Sequence, residues 1–158
     1  MVMNIKNLVN ISVWVALLQC VGFGLGQITQ SNISWYNSLY KSSLTPTSVV
    51  FSTVWAILYV VIAVVGHYLW CYRDEPKARK VWNLYTIQLL LNWSWSIVFF
   101  AFHLVLLAFL LIVVMIGINI KIVLMTKKNY YFAANMMIPY IIWLVFAGYL
   151  NFVILRLN

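Results

Sequence analysis

The sequence predicts an all-α integral membrane protein, a bundle of five transmembrane helices. Three observations lead there. The 158 residues are 65% hydrophobic and only 8% charged, where a water-soluble domain carries about 25% charged residues to cover its surface. Apolar runs over residues 8–26, 48–72, 81–102, 104–125 and 131–155 each match the ~20 residues that cross a ~30 Å hydrocarbon core. The period-two alternation of a membrane β-barrel is absent. All the connections and ends but one are short, so the chain reads as a single transmembrane domain over 1–158.

The first span, 8–26, is longer than the apolar part of a signal peptide and lacks a clean small-x-small site, so it is expected to be a retained helix. It ends in Gly22-Phe23-Gly24-Leu25-Gly26. This reads as a small-residue helix end, with a Gly-x-x-x-Gly helix contact as the alternative. Residues 27–47 form the only long connection, and it carries Trp35-Tyr36, Leu39 and Lys41. Long ordered loops in compact domains are usually lids or binding loops. Its tail reads as a turn, with Pro46 near the first turn of the next helix.

In the second span Phe51, Trp55 and Tyr59 recur every fourth residue, which at about 100° per residue puts three flat rings on one side. Such a wall, roofed by the Trp35-Tyr36 loop, could grip a large flat apolar molecule; ordinary packing is the competing reading. The third span places Gln88, Asn92, Trp95 and Phe99 within roughly a 60° arc. Polar side chains in a bilayer face the bundle interior, so the stripe points toward Trp55. Interhelical hydrogen bonding, about 0.6 kcal/mol per contact, is a compatible second role. The fourth span follows through a tight hairpin at 101–104. The fifth carries Asn135, Pro139-Tyr140, Trp143, Ala147 and Asn151, with a kink or opened backbone bond expected at the proline. Trp14, Trp70 and Trp82 fit an interfacial aromatic belt; Trp55, Trp95 and Trp143 lie too deep for one.

The net charge of +8 reflects topology rather than a nucleic-acid partner. Lys6, Arg73, Lys77, Arg79, Lys80, Lys127 and Lys128 share one side of a five-span chain, while Lys41 and Arg156 lie on the other. The positive-inside rule then places the N-terminus and the connections 73–80 and 126–130 inside, and the 27–47 loop outside. Several chemistries are disfavoured. His67 and His103 are isolated, without the converging ligands a metal needs. Asp74 and Glu75 are confined to one loop, which excludes a Ser-His-Asp arrangement. No span holds the carboxylate of a cation-coupled carrier, and Lys121 lies near enough to its span end to snorkel. Cys20 and Cys71 fall toward opposite faces, too far apart for a disulfide.

Four blocks, in this order, carry a family resemblance: Trp35-Tyr36-x-x-Leu39-x-Lys41; Pro46 followed by Phe51-x-x-x-Trp55-x-x-x-Tyr59; Gln88-x-x-x-Asn92-Trp93-x-Trp95 with Phe99-Phe100; and Pro139-Tyr140-x-x-Trp143-x-x-Phe146-Ala147-x-x-Leu150-Asn151. They resemble the TspO/translocator family, the peripheral benzodiazepine receptor-like, tryptophan-rich sensory proteins. The resemblance implies a membrane receptor, often a homodimer, that needs no cofactor and binds tetrapyrroles such as protoporphyrin IX and haem, with sterol or benzodiazepine-type ligands in some members. Its membrane is the bacterial cell membrane or the mitochondrial outer membrane. Carried over by position, it puts Trp35 and Tyr36 in a lid, Pro46 at its hinge, and Trp55, Asn92, Trp95, Trp143 and Ala147 in the pocket wall. Trp55 and Trp143 would be the residues of a light-dependent porphyrin breakdown, the enzymatic alternative; transport of porphyrin or small solutes is another. Two departures concern the hinge: Ser42 and Thr47 stand where relatives commonly have proline, which implies a less rigid lid. A third concerns a proposed sterol motif, where Phe152 replaces tyrosine and Tyr149 is one residue too far from Arg156.

Overall fold

The computed structural model describes residues 5–158, with the side chains of Ile5 and Lys6 outside that set, so the charge counted at Lys6 lies outside the described residues. The chain folds into helices α1 (Ile5–Ser31), α2 (Ile33–Ser38), α3 (Ser48–Cys71), α4 (Pro76–Ser96), α5 (Val105–Thr126) and α6 (Tyr131–Leu157), with a π-helical turn at Ile97–Ala101 after α4. Five of them are long and apolar enough to cross a membrane, and the described residues contain no strand. The protein is therefore an integral membrane protein. Around the bundle the packing order is α1, α3, α6, α5, α4 and back to α1. One end, carrying Arg73, Lys77, Arg79, Lys80, Lys127 and Lys128, is the basic end; α2 and residues 39–47 cover the other, the lid end.

The 27–47 connection is not the loop its composition suggests. Helix α1 runs on to Ser31 and α2 follows almost at once. Thr29, Ser31 and Asn32 read as loop formers, yet each side chain bonds the carbonyl one turn back: Thr29 to Leu25 (3.2 Å), Ser31 to Gln27 (2.9 Å) and Asn32 to Ile28 (2.9 Å). Polar side chains that bond i−4 carbonyls can sit within a helix. Only residues 39–47 are irregular. Pro46 lies outside α3, before the N-cap Thr47, whose hydroxyl accepts from Val50 N. Helix α4 also starts earlier than the apolar run, at Pro76. A proline at the first helical position lacks an N–H that would be unpaired there anyway, and the Glu75 carbonyl accepts from Arg79 N at 2.9 Å. Helix α6 continues unbroken across Pro139.

Two glycines set helix spacing. A Cβ on Gly22 would fall 2.6 Å from Cε2 of Tyr59, and one on Gly66 would fall 2.8 Å from Cζ of Tyr85. Each lets a tyrosine of one helix come close against the backbone of another, the close approach that small residues allow between membrane helices. The space gained at Gly66 brings the Tyr85 hydroxyl to Ile62 O at 2.9 Å. Gly24 and Gly26 face open space, so of the Gly-x-x-x-Gly pair only Gly22 makes a close contact. Gln88 and Asn119 meet between α4 and α5 (Nδ2 of Asn119 to Oε1 of Gln88, 3.5 Å), while Asn119 also bonds Met115 O at 2.8 Å.

At the basic end, Tyr130 donates its hydroxyl to a Glu75 carboxylate oxygen, joining the α5–α6 connection to the start of α4. Tyr72 packs its ring on Tyr130, and Tyr68 packs on Tyr72 and Phe132. The bond to Glu75, helped by burial, pushes the Tyr130 hydroxyl up to about 12.

Gly66→Ala should lower stability by about 1–3 kcal/mol through overpacking, whereas Gly24→Ala should be neutral or stabilising by up to about 1 kcal/mol. Thermal unfolding in detergent, followed by circular dichroism, separates the two. Tyr130→Phe should lose about 1.5–3 kcal/mol, the scale of a hydrogen bond to a charged group. The advantage of tyrosine over phenylalanine is complete below pH 10.0, its ordinary value, and lost as pH rises through about 12, because the folded state holds the proton more tightly than the unfolded chain. A stability difference that persisted unchanged at the alkaline end would contradict this bond.

Candidate functional site

Helix α3 presents Phe51, Trp55 and Tyr59 as a continuous ladder, with ring centroids 6.2 Å and 5.7 Å apart. Helix α6 meets it face on: Trp143 lies 5.8 Å from Phe51, and Tyr140 lies 6.5 Å from Trp55. From α4, Asn92 and Trp95 close the third side. Between them is a cavity of about 10 Å³ lined by Trp55, Asn92, Trp95, Ile112, Met115, Leu144 and Ala147. That is about the minimum to hold one water. The walls touch, and the interior is shut.

Asn92 ties the walls together. Its Oδ1 accepts from the Tyr59 hydroxyl at 3.2 Å and its Nδ2 donates to the Tyr140 hydroxyl at 2.9 Å. Three helices thus converge on one buried amide. The indole N–H groups are left differently: Nε1 of Trp95 and of Trp143 are buried without a hydrogen-bond partner, as are both amide atoms of Asn151, one turn beyond Ala147. In membrane interiors such groups are normally paired.

The lid residues form a second cluster. The Trp35 ring stacks on His103 at 3.9 Å, with 15° between planes, and meets Phe99 edge-on at 5.4 Å. Tyr36 packs on Phe99 and Phe100, and burial raises its hydroxyl above the ordinary value. Both phenylalanines are buried in the π-helical turn, a feature often found at functional sites. His103 follows with a left-handed backbone, φ 57°, uncommon for a residue other than glycine; it reverses the chain into α5. Trp95 links the two clusters, stacked 5.2 Å from Phe99.

Lys41 organises the end of α2. Its Nζ donates to the carbonyls of Tyr36 (2.7 Å), Leu39 (3.0 Å) and Asn37 (3.3 Å) and lies 4.8 Å over the Tyr36 ring. Beyond it, Tyr40 exchanges both backbone groups with the Asn158 amide. Ser42 bonds the Tyr149 hydroxyl at 3.1 Å and accepts from Leu44 N at 3.1 Å. Ser42 therefore holds the turn through its side chain.

Of the residues singled out in the sequence, Trp55, Asn92, Trp95 and Ala147 line the cavity, with Phe51, Tyr59, Tyr140 and Trp143 in ring or hydrogen-bond contact behind them. Gln88 is fully buried against α5 and Phe99 lies beneath the lid; neither lines the cavity. Pro46 packs outside both clusters, ahead of α3. Ile112, Met115 and Leu144 were not foreseen, because plain apolar residues in an apolar span carry no positional signal. His103 and Asn158 were also missed: each acts through a partner distant in sequence. Among the described residues no group of three or more histidines, cysteines or carboxylates converges, and Cys20 and Cys71 are free thiols.

Residues 14–157 match the family model described as the TspO/MBR family. The tryptophan-rich protein TspO of Chlorobaculum tepidum is 33% identical over 97% of this chain and 98% of its own length. That of Archaeoglobus fulgidus is 29% identical over 96% and 99%, and the human translocator protein is 30% identical over 80% and 76%. With the five-helix bundle and its aromatic interior, these likenesses place the chain in the TspO/MBR family.

Proposed function

We propose that the protein binds a tetrapyrrole, protoporphyrin IX or haem, between the α3, α4 and α6 walls beneath α2. The observation that carries this reading is the unpartnered indole N–H of Trp95 in the cavity wall, with that of Trp143 behind it among the packed rings of α3 and α6. A flat macrocycle with acidic side arms supplies ring area for stacking and acceptors for those donors. The guest enters by parting the Phe51–Trp143 contact and lifting α2, because the closed interior is far too small for it. Neither histidine lines the cavity, so binding rests on ring stacking and apolar burial rather than on iron.

Asn92 has a different part. Both ends of its amide are already engaged, so it positions Tyr59 and Tyr140 as wall rather than reading the guest.

Protoporphyrin IX should quench the tryptophan fluorescence of the purified protein saturably, and haem should bind within a few-fold of it. Trp143→Phe and Trp55→Phe should each weaken binding by roughly two- to tenfold, the loss of one favourable ring contact; unchanged affinity in both variants would remove the proposed wall. Asn92→Leu strands two buried hydroxyls and should cost about 1–3 kcal/mol of stability, read as a lower melting temperature in detergent before any ligand is added. A variant that melts like the parent but loses affinity would instead make Asn92 a ligand contact.

A further inference from the structure

A larger cavity lies at the opposite end from the lid and shares no residue with the aromatic interior. It holds about 380 Å³ between α1, α3 and the start of the α3–α4 connection, lined by Asn10, Val13, Trp14, His67, Trp70, Cys71 and Arg73. We infer that this pocket holds the phosphate head group of an anionic phospholipid from the leaflet at the basic end.

The chemistry of the lining supports that occupant. The Arg73 guanidinium lies 4.0 Å over the Trp70 ring, and its Nη1 donates to Trp70 O at 2.8 Å. The stack and the bond fix the plane of the group and use one of its five N–H donors, leaving the others for an anion. Arginine in this form is suited to phosphate oxygens. Asn10 supplies an amide at the rim. At the back, His67 is 2% exposed with Nδ1 unpartnered, its Nε2 lying 3.7 Å from Cys71 Sγ. A buried polar nitrogen with no partner beside a cation and a cavity points to a polar guest.

The apolar side favours a lipid over a free anion. Trp14 and Trp70 both pack on Trp82, at 5.8 Å and 5.2 Å, setting indoles at head-group level. From the pocket wall at Val13 an exposed strip, Val9, Val13 and Leu17 (57%, 52% and 58% exposed), follows one face of α1 at four-residue spacing. Acyl chains can lie along that strip while the head group is held. Basic pockets between transmembrane helices on the positive side are known receptors for acidic head groups. Asp74 and Glu75 adjoin Arg73 in sequence, but Glu75 is engaged by Tyr130 across the bundle.

Cys71, in the lining, provides the readout. In a Cys20→Ser background the rate of Cys71 alkylation by a maleimide is measured in detergent with added phosphatidylglycerol, phosphatidylcholine or inorganic phosphate. Phosphatidylglycerol is expected to slow the reaction saturably, phosphatidylcholine and phosphate much less. Arg73→Gln should weaken that protection about fivefold, the scale of one lost cation at the head-group surface, while Lys128→Gln on the α5–α6 connection should preserve it. Equal protection by the two lipids would overturn the assignment, as would full protection in Arg73→Gln or equal loss in Lys128→Gln. Protection by phosphate matching that of phosphatidylglycerol would assign the pocket to a soluble anion and overturn the lipid. The three ligand arms on the Arg73-bearing chain decide the matter even where the Arg73 variant does not purify.

Discussion

The structure depends on one buried amide. In a bilayer no water compensates an unpaired polar group, so a polar side chain facing the bundle must find its partners on other helices. Asn92 finds two, accepting from Tyr59 and donating to Tyr140, and thereby fixes α3, α4 and α6 to one another. The rest of the packing accommodates that junction. Gly22 lets α1 come in against the back of Tyr59. Two turns further toward the basic end, Gly66 gives Tyr85 the room to reach Ile62 O. Apolar packing alone, with lipid as apolar as the core, would leave the rotation of these helices weakly specified.

That junction brings the aromatic walls within contact distance and leaves the interior shut. Closure leaves the indole donors of Trp95 and Trp143 and the whole amide of Asn151 without partners, while Asn92 at the junction has both ends of its amide engaged. The contrast separates two kinds of polar residue. Asn92, with both ends engaged, holds the frame; Trp95, with its donor unpaired, lines the space the proposed guest would occupy. Ring stacking supplies area there, and the unpaired donors supply orientation.

Much of the frame was legible in the sequence, since bilayer thickness demands long apolar runs and the aromatic periodicity marks their inner faces. The α4 stripe pointed inward as its polar members required. Along that stripe Gln88 meets Asn119 and Phe99 supports the lid, because one helical face about three turns long passes several neighbours. Residues 27–38 looked like loop because serine, threonine and asparagine are good turn formers, but the same hydroxyls and amides can bond the preceding turn and extend a helix. The hinge looked loose for want of prolines. Ser42 restrains it instead through a bond to Tyr149, which no local pattern encodes, as with the Tyr40–Asn158 pair.

The two ends are fastened in different ways, and this bears on where the bundle opens. At the basic end the α3–α4 and α5–α6 connections are short, and they are joined by a charged acceptor, Glu75, held by a buried tyrosine; hydrogen bonds to charged groups contribute about 1.5–3 kcal/mol. At the lid end, besides the apolar packing of Trp35 and Tyr36 on Phe99 and Phe100, the polar and stacking contacts are a ring stack on exposed His103, the serine bond of Ser42 and the amide clasp of Asn158. Each of these last three is solvent-facing and worth about 1 kcal/mol or less, and each can break without stranding a polar group away from water. The irregular stretch 39–47 connects them to α3, whose first turns carry exposed Val49 and Val50 and lie far from the Asn92 junction. Opening at the lid end therefore disturbs the fewest buried polar bonds, and the Asn92 junction is the point at which such an opening stops.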